Sequence, residues 1–214
     1  MHLDIFSDTI CPWCFIGKRR LERALAERPD IDVSICWRAF QLNPEMPAEG
    51  MDRQTYLATK FGGAENAARV YDMVTRNGAE ENLPFAFERI GRTPNTLASH
   101  QLLAWAAIQG NQGPLVERLF RLYFFDGADI GDADVLVQAA AAEGFDPAGA
   151  HAAIADADLR ARVQDEDQQA REAGLQGVPT FIVNGGYALS GAQDPKVLHQ
   201  LFDLGLQGDP VAAG

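Results

Sequence analysis

The sequence predicts an α/β fold in which a small unit of strands and helices is interrupted by a large all-helical insertion. The first forty residues carry a strand–helix–strand pattern, and the residues after Gly174 carry a strand–strand–helix pattern. The stretch between them has helical composition. Because the N-terminal piece alone is too small to bury both faces of its strands, we expect the two ends to form one domain. We therefore predict a domain of residues 1–44 plus 175–214 and an inserted helical domain of residues 45–174.

The N-terminal segment predicts a strand, a helix and a second strand. Residues 3–6 predict the first strand, and Pro12 lies near the start of the helix, where a missing N–H costs no hydrogen bond. Residues 31–40 alternate apolar and polar positions and predict the second strand. A crossover of this length favours a parallel, right-handed pair. We expect Cys36 to lie in a central strand as a buried, unreactive thiol.

The middle of the chain is rich in Ala, Leu, Glu and Arg, and Gly and Pro divide it into helical segments. The pair Gly62-Gly63 and the single Gly78 are expected to end two of these helices, because glycine commonly follows a helix C-terminus. Residues 84–94 are expected to be irregular. The predicted helices are 52–61, 64–77, one capped by Asn95 or Thr96 that reaches Ile108, 114–125, 132–143, 147–155 and 156–173.

The C-terminal segment returns to strand-like composition. Residues 180–189 predict two strands joined by an Asn-Gly-Gly turn, a strong signal for a hairpin. A final helix is expected to begin with Asp194 as its N-cap and Pro195 as its first residue. We expect Gly205 to end this helix.

The charge of the chain argues against two classes of partner. Its 214 residues include 18 Lys and Arg against 30 Asp and Glu, a formal net charge of −12. A negative surface repels nucleic-acid phosphates and anionic lipids, so we expect neither nucleic acid nor membrane as a partner. No targeting segment or membrane-length apolar run is visible in the sequence, and we expect a cytoplasmic location. The oligomeric state stays open.

The strongest functional signal is Cys11-Pro12-Trp13-Cys14. A dithiol oxidoreductase needs one sulfur that attacks and a second that resolves the mixed disulfide, and Cys-x-x-Cys at a helix N-terminus supplies both. Cys11 lies at the open end of the predicted helix, where free N–H groups and the helix dipole favour its thiolate. We predict Cys11 as the nucleophile and Cys14 as the resolving thiol. Pro12 and Trp13 are expected to tune the redox potential.

Two other interpretations of this cysteine pair stay open, a zinc site and a pair of reduced structural thiols. Tetrahedral zinc needs four ligands, and the chain has no second paired motif. The sequence therefore predicts no metal site. The remaining candidate ligands are scattered along the chain: Cys36, His2, His100, His151 and His199.

Several segments together resemble the DsbA-like family of thioredoxin-fold oxidoreductases. They are Asp8–Gly17, which contains the cysteine pair, and residues 177–181, Gly-Val-Pro-Thr-Phe, beyond the helical block. Residues 94–100 and 189–193 resemble the cytoplasmic FrnE-type branch of that family. The resemblance covers nearly the whole chain. It implies a thioredoxin fold with a large helical insertion and the activity of a protein disulfide oxidoreductase.

The resemblance also implies a substrate-binding role for Val178 and Pro179. In this family the peptide bond before the proline is cis and faces the nucleophilic sulfur, here that of Cys11. The exposed backbone of the preceding residue, here Val178, pairs with an extended substrate segment. The alternative is that Pro179 only begins an edge strand.

Glutathione-dependent chemistry is a second functional hypothesis. The superfamily includes 2-hydroxychromene-2-carboxylate isomerases and kappa-class glutathione transferases, which this chain resembles through Asn95–His100 and Ser190–Gln193. Those enzymes typically have Ser in place of Cys11 and lack the second cysteine, so the intact pair argues against their activity. A third hypothesis is a non-catalytic, chaperone-like binding module or metal carrier. We predict an oxidoreductase for protein or small-molecule disulfides without a tightly bound cofactor, with glutathione open as a co-substrate.

Other residues have a mainly structural interpretation. A lone helical histidine such as His100 is more often a packing or surface residue than a catalytic base. An aromatic-rich set is expected first to pack the core of the helical block and second to line a substrate groove: Trp105, Phe120, Tyr123, Phe124 and Phe125.

Overall fold

The computed structural model describes residues 1–208 and confirms the predicted α/β class with a helical insertion. The last residues of the predicted first domain, 209–214, lie outside the described residues, and the division into domains stays a prediction. The strands are β1 (His2–Ser7), β2 (Ser34–Ala39), β3 (Met51–Asp52), β4 (Arg92–Thr93), β5 (Thr180–Val183) and β6 (Tyr187–Ser190). The helices are α1 (Pro12–Ala26), α2 (Arg53–Phe61), α3 (Ala64–Glu80), α4 (Leu97–Gln109), α5 (Gly113–Arg121), α6 (Ala133–Ala142), α7 (Pro147–Ala155), α8 (Ala157–Glu172) and α9 (Pro195–Leu206).

The main sheet joins the two ends of the chain in the order β2-β1-β5-β6. β1 and β2 are parallel, as the length of the crossover predicted, with Leu3 opposite Ile35. β5 runs antiparallel to β1, and β6 antiparallel to β5. The predicted hairpin turn is present, with left-handed φ angles of 49° at Asn184 and 70° at Gly185. The interior strand β1 therefore leads directly into the segment that carries the cysteine pair.

β2 is an edge strand, so the prediction of a central strand around Cys36 is wrong, and the Cys36 side chain is only half-buried. Side chains from the helical block cover the free edge of β2. The Gln112 amide accepts from the Trp37 N–H at 2.9 Å and donates to the Trp37 carbonyl at 3.3 Å. Glu166 accepts from the Ala39 N–H at 2.9 Å. These side chains satisfy backbone groups that would otherwise be open to another strand.

Two glycines that were predicted to end helices lie inside them. α3 continues past Gly78, and α9 continues past Gly205. A Cβ added to Gly78 would lie 2.4 Å from the Phe85 ring, and one added to Gly205 would lie 2.1 Å from Cγ1 of Val183. Both glycines therefore allow close packing of a helix against a distant side chain.

Residues 84–94 were expected to be irregular, and the structure corrects this in part. They contain a 3₁₀ turn at Phe87–Arg89 and the short strand β4. β4 pairs antiparallel with β3, with Met51 opposite Thr93. Two-residue strands are too short to produce a recognisable periodicity in the sequence.

Aromatic side chains join the helical block to α1. The Phe15 ring of α1 stacks on Phe120 at a centroid distance of 4.9 Å and lies 6.3 Å from Phe124. Phe120, Tyr123 and Phe124 are fully buried, which confirms core packing as their primary role. The helix that carries the cysteine pair is therefore packed on both sides, by the sheet and by the insertion.

We expect Gly205→Ala to lower the free energy of unfolding by about 1–3 kcal/mol, because the added methyl group overlaps Val183 in the interior of the sheet. This loss is expected despite the better helix propensity of alanine, worth about 1 kcal/mol. Urea denaturation measures the change. Gly91→Ala is the matched control, since a Cβ at Gly91 meets no atom within 4 Å. Equal stability of the two variants would contradict this packing role.

Candidate active site

Cys11 and Cys14 lie where the turn after β1 enters α1. Cys11 is the N-cap residue, with φ −91° and ψ 111°, and Pro12 and Trp13 begin the helix. The Cys11 carbonyl accepts from the Cys14 N–H at 3.0 Å. Both cysteines are free thiols, and 3 % of Cys11 and none of Cys14 is exposed. Cys11 is therefore less accessible than its position at the helix end predicts.

The segment that contains Val178 and Pro179 directly precedes β5, the strand next to β1, and faces Cys11. The Val178 carbonyl oxygen lies 3.7 Å from the Cys11 Sγ, within reach of a thiol hydrogen bond. The Val178–Pro179 peptide bond is cis. The Pro179 carbonyl accepts from the Gly191 N–H at 2.7 Å. The fold thus brings together residues that are far apart in the sequence, whereas a role of Val178 in substrate binding stays a prediction.

Gly17 allows α1 to lie against this segment. A Cβ on Gly17 would lie 2.8 Å from Cγ of Pro179, 3.4 Å from Phe181 and 3.6 Å from Ala192. A larger residue at position 17 would push the helix away. The sequence pattern contained this glycine but gave no reason to assign it a contact with Pro179.

Cys14 is surrounded by groups that act in opposite directions on its thiol. Burial raises the pKa of Cys14 well above its usual value, and the neighbouring Cys11 raises it further. The Ser7 hydroxyl and the Asp8 N–H lower that pKa, because hydrogen bonds to sulfur favour the thiolate. Burial is the largest effect, so Cys14 remains protonated near neutral pH.

Asp8 and His100 form a buried polar pair behind the cysteines. Asp8 is fully buried, and its carboxylate accepts from the Leu42 N–H at 2.6 Å and the Ile10 N–H at 3.4 Å. His100 is 3 % exposed, and its Nε2 lies 3.5 Å from Asp8 Oδ1. Within the described part of the chain, this Nε2 has no hydrogen-bond partner. Sequence reasoning gave Asp8 no role beyond the resemblance and expected His100 to be a packing or surface residue.

A buried arginine lies near the site in the helical block. Arg53 donates to the hydroxyls of Thr93 at 3.1 Å and Tyr123 at 3.4 Å, and to that of Tyr71. Burial raises the pKa of Tyr71, and negative charge on Cys11 also raises it. The neighbouring Arg53 guanidinium acts in the opposite direction and lowers this pKa. Tyr71 therefore lies within electrostatic reach of Cys11 and in direct contact with a guanidinium. No sequence motif pointed to this cluster.

Two further properties of residues 1–208 bear on function. They contain no group of three or more His, Cys, Asp or Glu side chains arranged to hold a metal ion. None of the helices in this range combines the length and the apolar character needed to cross a membrane.

Comparison with known proteins places these features in context. Residues 2–203 match the DSBA-like thioredoxin domain family. The chain is similar to a probable DsbA oxidoreductase from Streptomyces coelicolor, with 31 % identity, a TM-score of 0.85, and coverage of 97 % of this chain and 90 % of the other.

Two more distant structures share the fold. The cytosolic disulfide reductase DsbM from Pseudomonas aeruginosa, in a structure with GSH, is 21 % identical, with a TM-score of 0.66 and coverage of 97 % and 100 % of the two chains. A 2-hydroxychromene-2-carboxylate isomerase is 12 % identical, with a TM-score of 0.71 and coverage of 97 % and 96 %.

We expect Cys14 to resist alkylation in the folded protein. In the variant Cys11→Ser, iodoacetamide at about pH 8 should label the half-buried Cys36 before Cys14, because burial and a raised pKa leave little Cys14 thiolate. Raising the pH should increase Cys14 labelling, and urea should make both thiols reactive. Mass spectrometry of peptides measures each site. Labelling of Cys14 as fast as Cys36 at about pH 8 would contradict this account.

Proposed function

The chain belongs to the DSBA-like thioredoxin domain family, and from this membership we propose that it is a thiol–disulfide oxidoreductase with Cys11 and Cys14 as its redox pair. One observation carries the proposal. A thiol at the N-cap of α1 faces the Val178 carbonyl at 3.7 Å, and a second, fully buried thiol follows one turn later. Thiol–disulfide exchange requires these two positions, one for attack and one for resolution.

The reaction proceeds in two exchanges. The Cys11 thiolate attacks one sulfur of a substrate disulfide. The S–S bond breaks, one substrate thiolate leaves, and Cys11 becomes joined to the other sulfur. Cys14 then loses its proton and attacks the Cys11 sulfur, which releases the second substrate thiolate. The protein dithiol is oxidised to a disulfide while the substrate disulfide is reduced, and the reverse sequence oxidises a substrate dithiol.

Val178 is proposed to hold an extended part of the substrate beside Cys11. Its carbonyl lies next to the reacting sulfur, where a substrate N–H can replace the contact with the thiol. The Pro179–Gly191 hydrogen bond holds this segment in place. Pro12 and Trp13 complete the proposed site, because they shape the first turn between the two sulfurs and set the environment that tunes their potential.

We propose glutathione as a co-substrate and the reducing cytoplasm as the location. The Arg53 guanidinium is the basic group that we propose for the first part: among residues 1–208 it pairs with no carboxylate, and a carboxylate of glutathione would replace the Thr93 or Tyr71 hydroxyl that this buried side chain now binds. Glutathione carries two carboxylates, and an arginine binds a carboxylate in a bidentate manner. Isomerase chemistry is less well supported, since the likeness to the isomerase concerns the fold alone and this chain retains both cysteines.

Variants of the three cysteines test the proposed roles. We expect Cys14→Ser to accumulate a mixed disulfide with a peptide disulfide substrate, because the resolving thiol is missing. Cys11→Ser should form none and should lose turnover. Cys36→Ser is the matched control and should keep wild-type turnover, since Cys36 lies on the edge strand β2. Non-reducing gel electrophoresis and a coupled turnover assay measure these outcomes. Equal turnover in all three variants would rule out the dithiol mechanism.

Arg53→Gln tests the proposed glutathione site. We expect the KM for oxidised glutathione to rise about tenfold, the loss expected for one charge-assisted hydrogen bond of about 1.5 kcal/mol. The KM for the neutral hydroxyethyl disulfide should stay unchanged, which controls for damage to the fold or to Cys11. A parallel rise for both disulfides, or no change for either, would show that Arg53 does not bind the carboxylate.

A further inference from the structure

Cys14 must lose a proton before it can resolve the mixed disulfide, but the structure closes the direct route to solvent. None of its side chain is exposed, and Cys11 occupies the helix end in front of it. A thiol in such a position needs a neighbouring group that accepts its proton at the moment of attack. The candidate groups are those on the inner side of the cysteine pair.

Ser7 connects the Cys14 sulfur to a small cavity. Ser7 is the last residue of β1, directly before the turn that carries the cysteines, and a hydrogen bond from its side chain lowers the pKa of Cys14. Ser7 also lines a cavity of about 10 Å³ together with Thr9 and His100. This volume corresponds to the space of about one water molecule, and the polar side chains around it can supply its hydrogen bonds.

His100 lines the same cavity as Ser7. Its Nε2 is buried and, among the described residues, has no hydrogen-bond partner, which is rare for a buried polar atom in a folded protein. The Asp8 carboxylate lies 3.5 Å away and can stabilise an imidazolium ion. An orphan imidazole nitrogen next to a buried carboxylate is therefore suited to receive a proton.

We propose that His100 is the proton acceptor for Cys14, acting through Ser7 and a water molecule in the cavity. The inference rests on the proposed oxidoreductase function and adds a residue to it. The Cys14 S–H bond breaks, and the proton passes to Nε2 of His100. The Cys14 thiolate attacks the Cys11 sulfur, and the substrate thiolate leaves with the electron pair of the broken S–S bond.

The imidazolium returns its proton at the outer side of the cavity. Arg38 of β2 and Glu166 of α8 line that side, and both side chains are partly exposed. The charged groups that face His100 are thus Asp8, Arg38 and Glu166. Among the described residues that line the cavity, those from α5 are the apolar Val116 and Phe120. His100 can therefore lose its proton to solvent after each turnover, and the proton does not have to pass through the substrate-binding side of the protein.

The two exchange steps can be measured separately with dithiobis-nitrobenzoate, a chromogenic disulfide. In a Cys36→Ser background, attack by Cys11 releases a first equivalent of coloured thiolate, and resolution by Cys14 releases a second. Stopped-flow absorbance records both phases from about pH 6 to pH 9. The variants are His100→Gln and Ser7→Ala. His199→Gln is the matched control, because His199 is a partly buried histidine on α9 that bonds the Ala24 carbonyl at 3.0 Å.

We expect His100→Gln to slow the second phase about tenfold near pH 6.5 and to leave the first phase unchanged. The remaining rate should rise in proportion to hydroxide, because solvent base then replaces the imidazole. Ser7→Ala should show the same selective loss, and it provides the test if His100→Gln fails to fold. His199→Gln should match the parent in both phases.

Two outcomes separate failure of this inference from failure of the proposed function. If the second phase keeps its parent rate and pH dependence in His100→Gln, or in Ser7→Ala when the first variant does not fold, His100 is not the acceptor. If the parent protein itself releases no second equivalent, Cys14 does not resolve the mixed disulfide, and the dithiol mechanism fails with it.

Discussion

The contact between Gly17 and Pro179 determines where the candidate active site lies. Because a Cβ at position 17 would come within 2.8 Å of Pro179, only glycine lets α1 approach the segment before β5 this closely. That approach places the Cys11 sulfur 3.7 Å from the Val178 carbonyl. The helix from the N-terminal end and the strands from the C-terminal end therefore meet at one side of the sheet. The Cys11 thiol and the proposed substrate-binding backbone face each other there.

Polar contacts hold α1 in this position from the side of the helical block. Arg20 bonds Glu81, a buried carboxylate at the end of α3, at 2.9 Å and also donates to the Ala192 carbonyl at 2.6 Å. One side chain of α1 thus contacts both the insertion and the loop after β6. Burying such charges is favourable only when they are paired and hydrogen-bonded. Backbone N–H groups satisfy the buried Asp8 carboxylate in the same way, whereas the Nε2 atom of His100 has no hydrogen-bond partner among residues 1–208.

The predictions that the structure confirms concern signals contained in a few adjacent residues. The cysteine pair lies at a helix start, the Asn-Gly-Gly turn joins two strands, and the Asp194 carboxylate caps α9 by accepting from the Lys196 N–H at 2.9 Å. The errors concern residues whose role depends on a distant partner. Gly78 and Gly205 were assigned to helix ends because a neighbouring sequence cannot show that Phe85 and Val183 pack against them. The edge position of Cys36 depends likewise on which strand pairs with β1.

The sequence by itself identified the cysteine pair, the elements that present it and the family to which they point. Helix caps, tight turns and side-chain periodicity act over a few residues, so their signals are complete within a short segment. Only the tertiary structure decided that Val178 lies beside Cys11 and that tyrosine hydroxyls accept hydrogen bonds from Arg53. The same holds for the contact between His100 and the Asp8 carboxylate. These contacts join residues far apart in the chain, and they depend on the packing of complete helices against a sheet rather than on any local pattern.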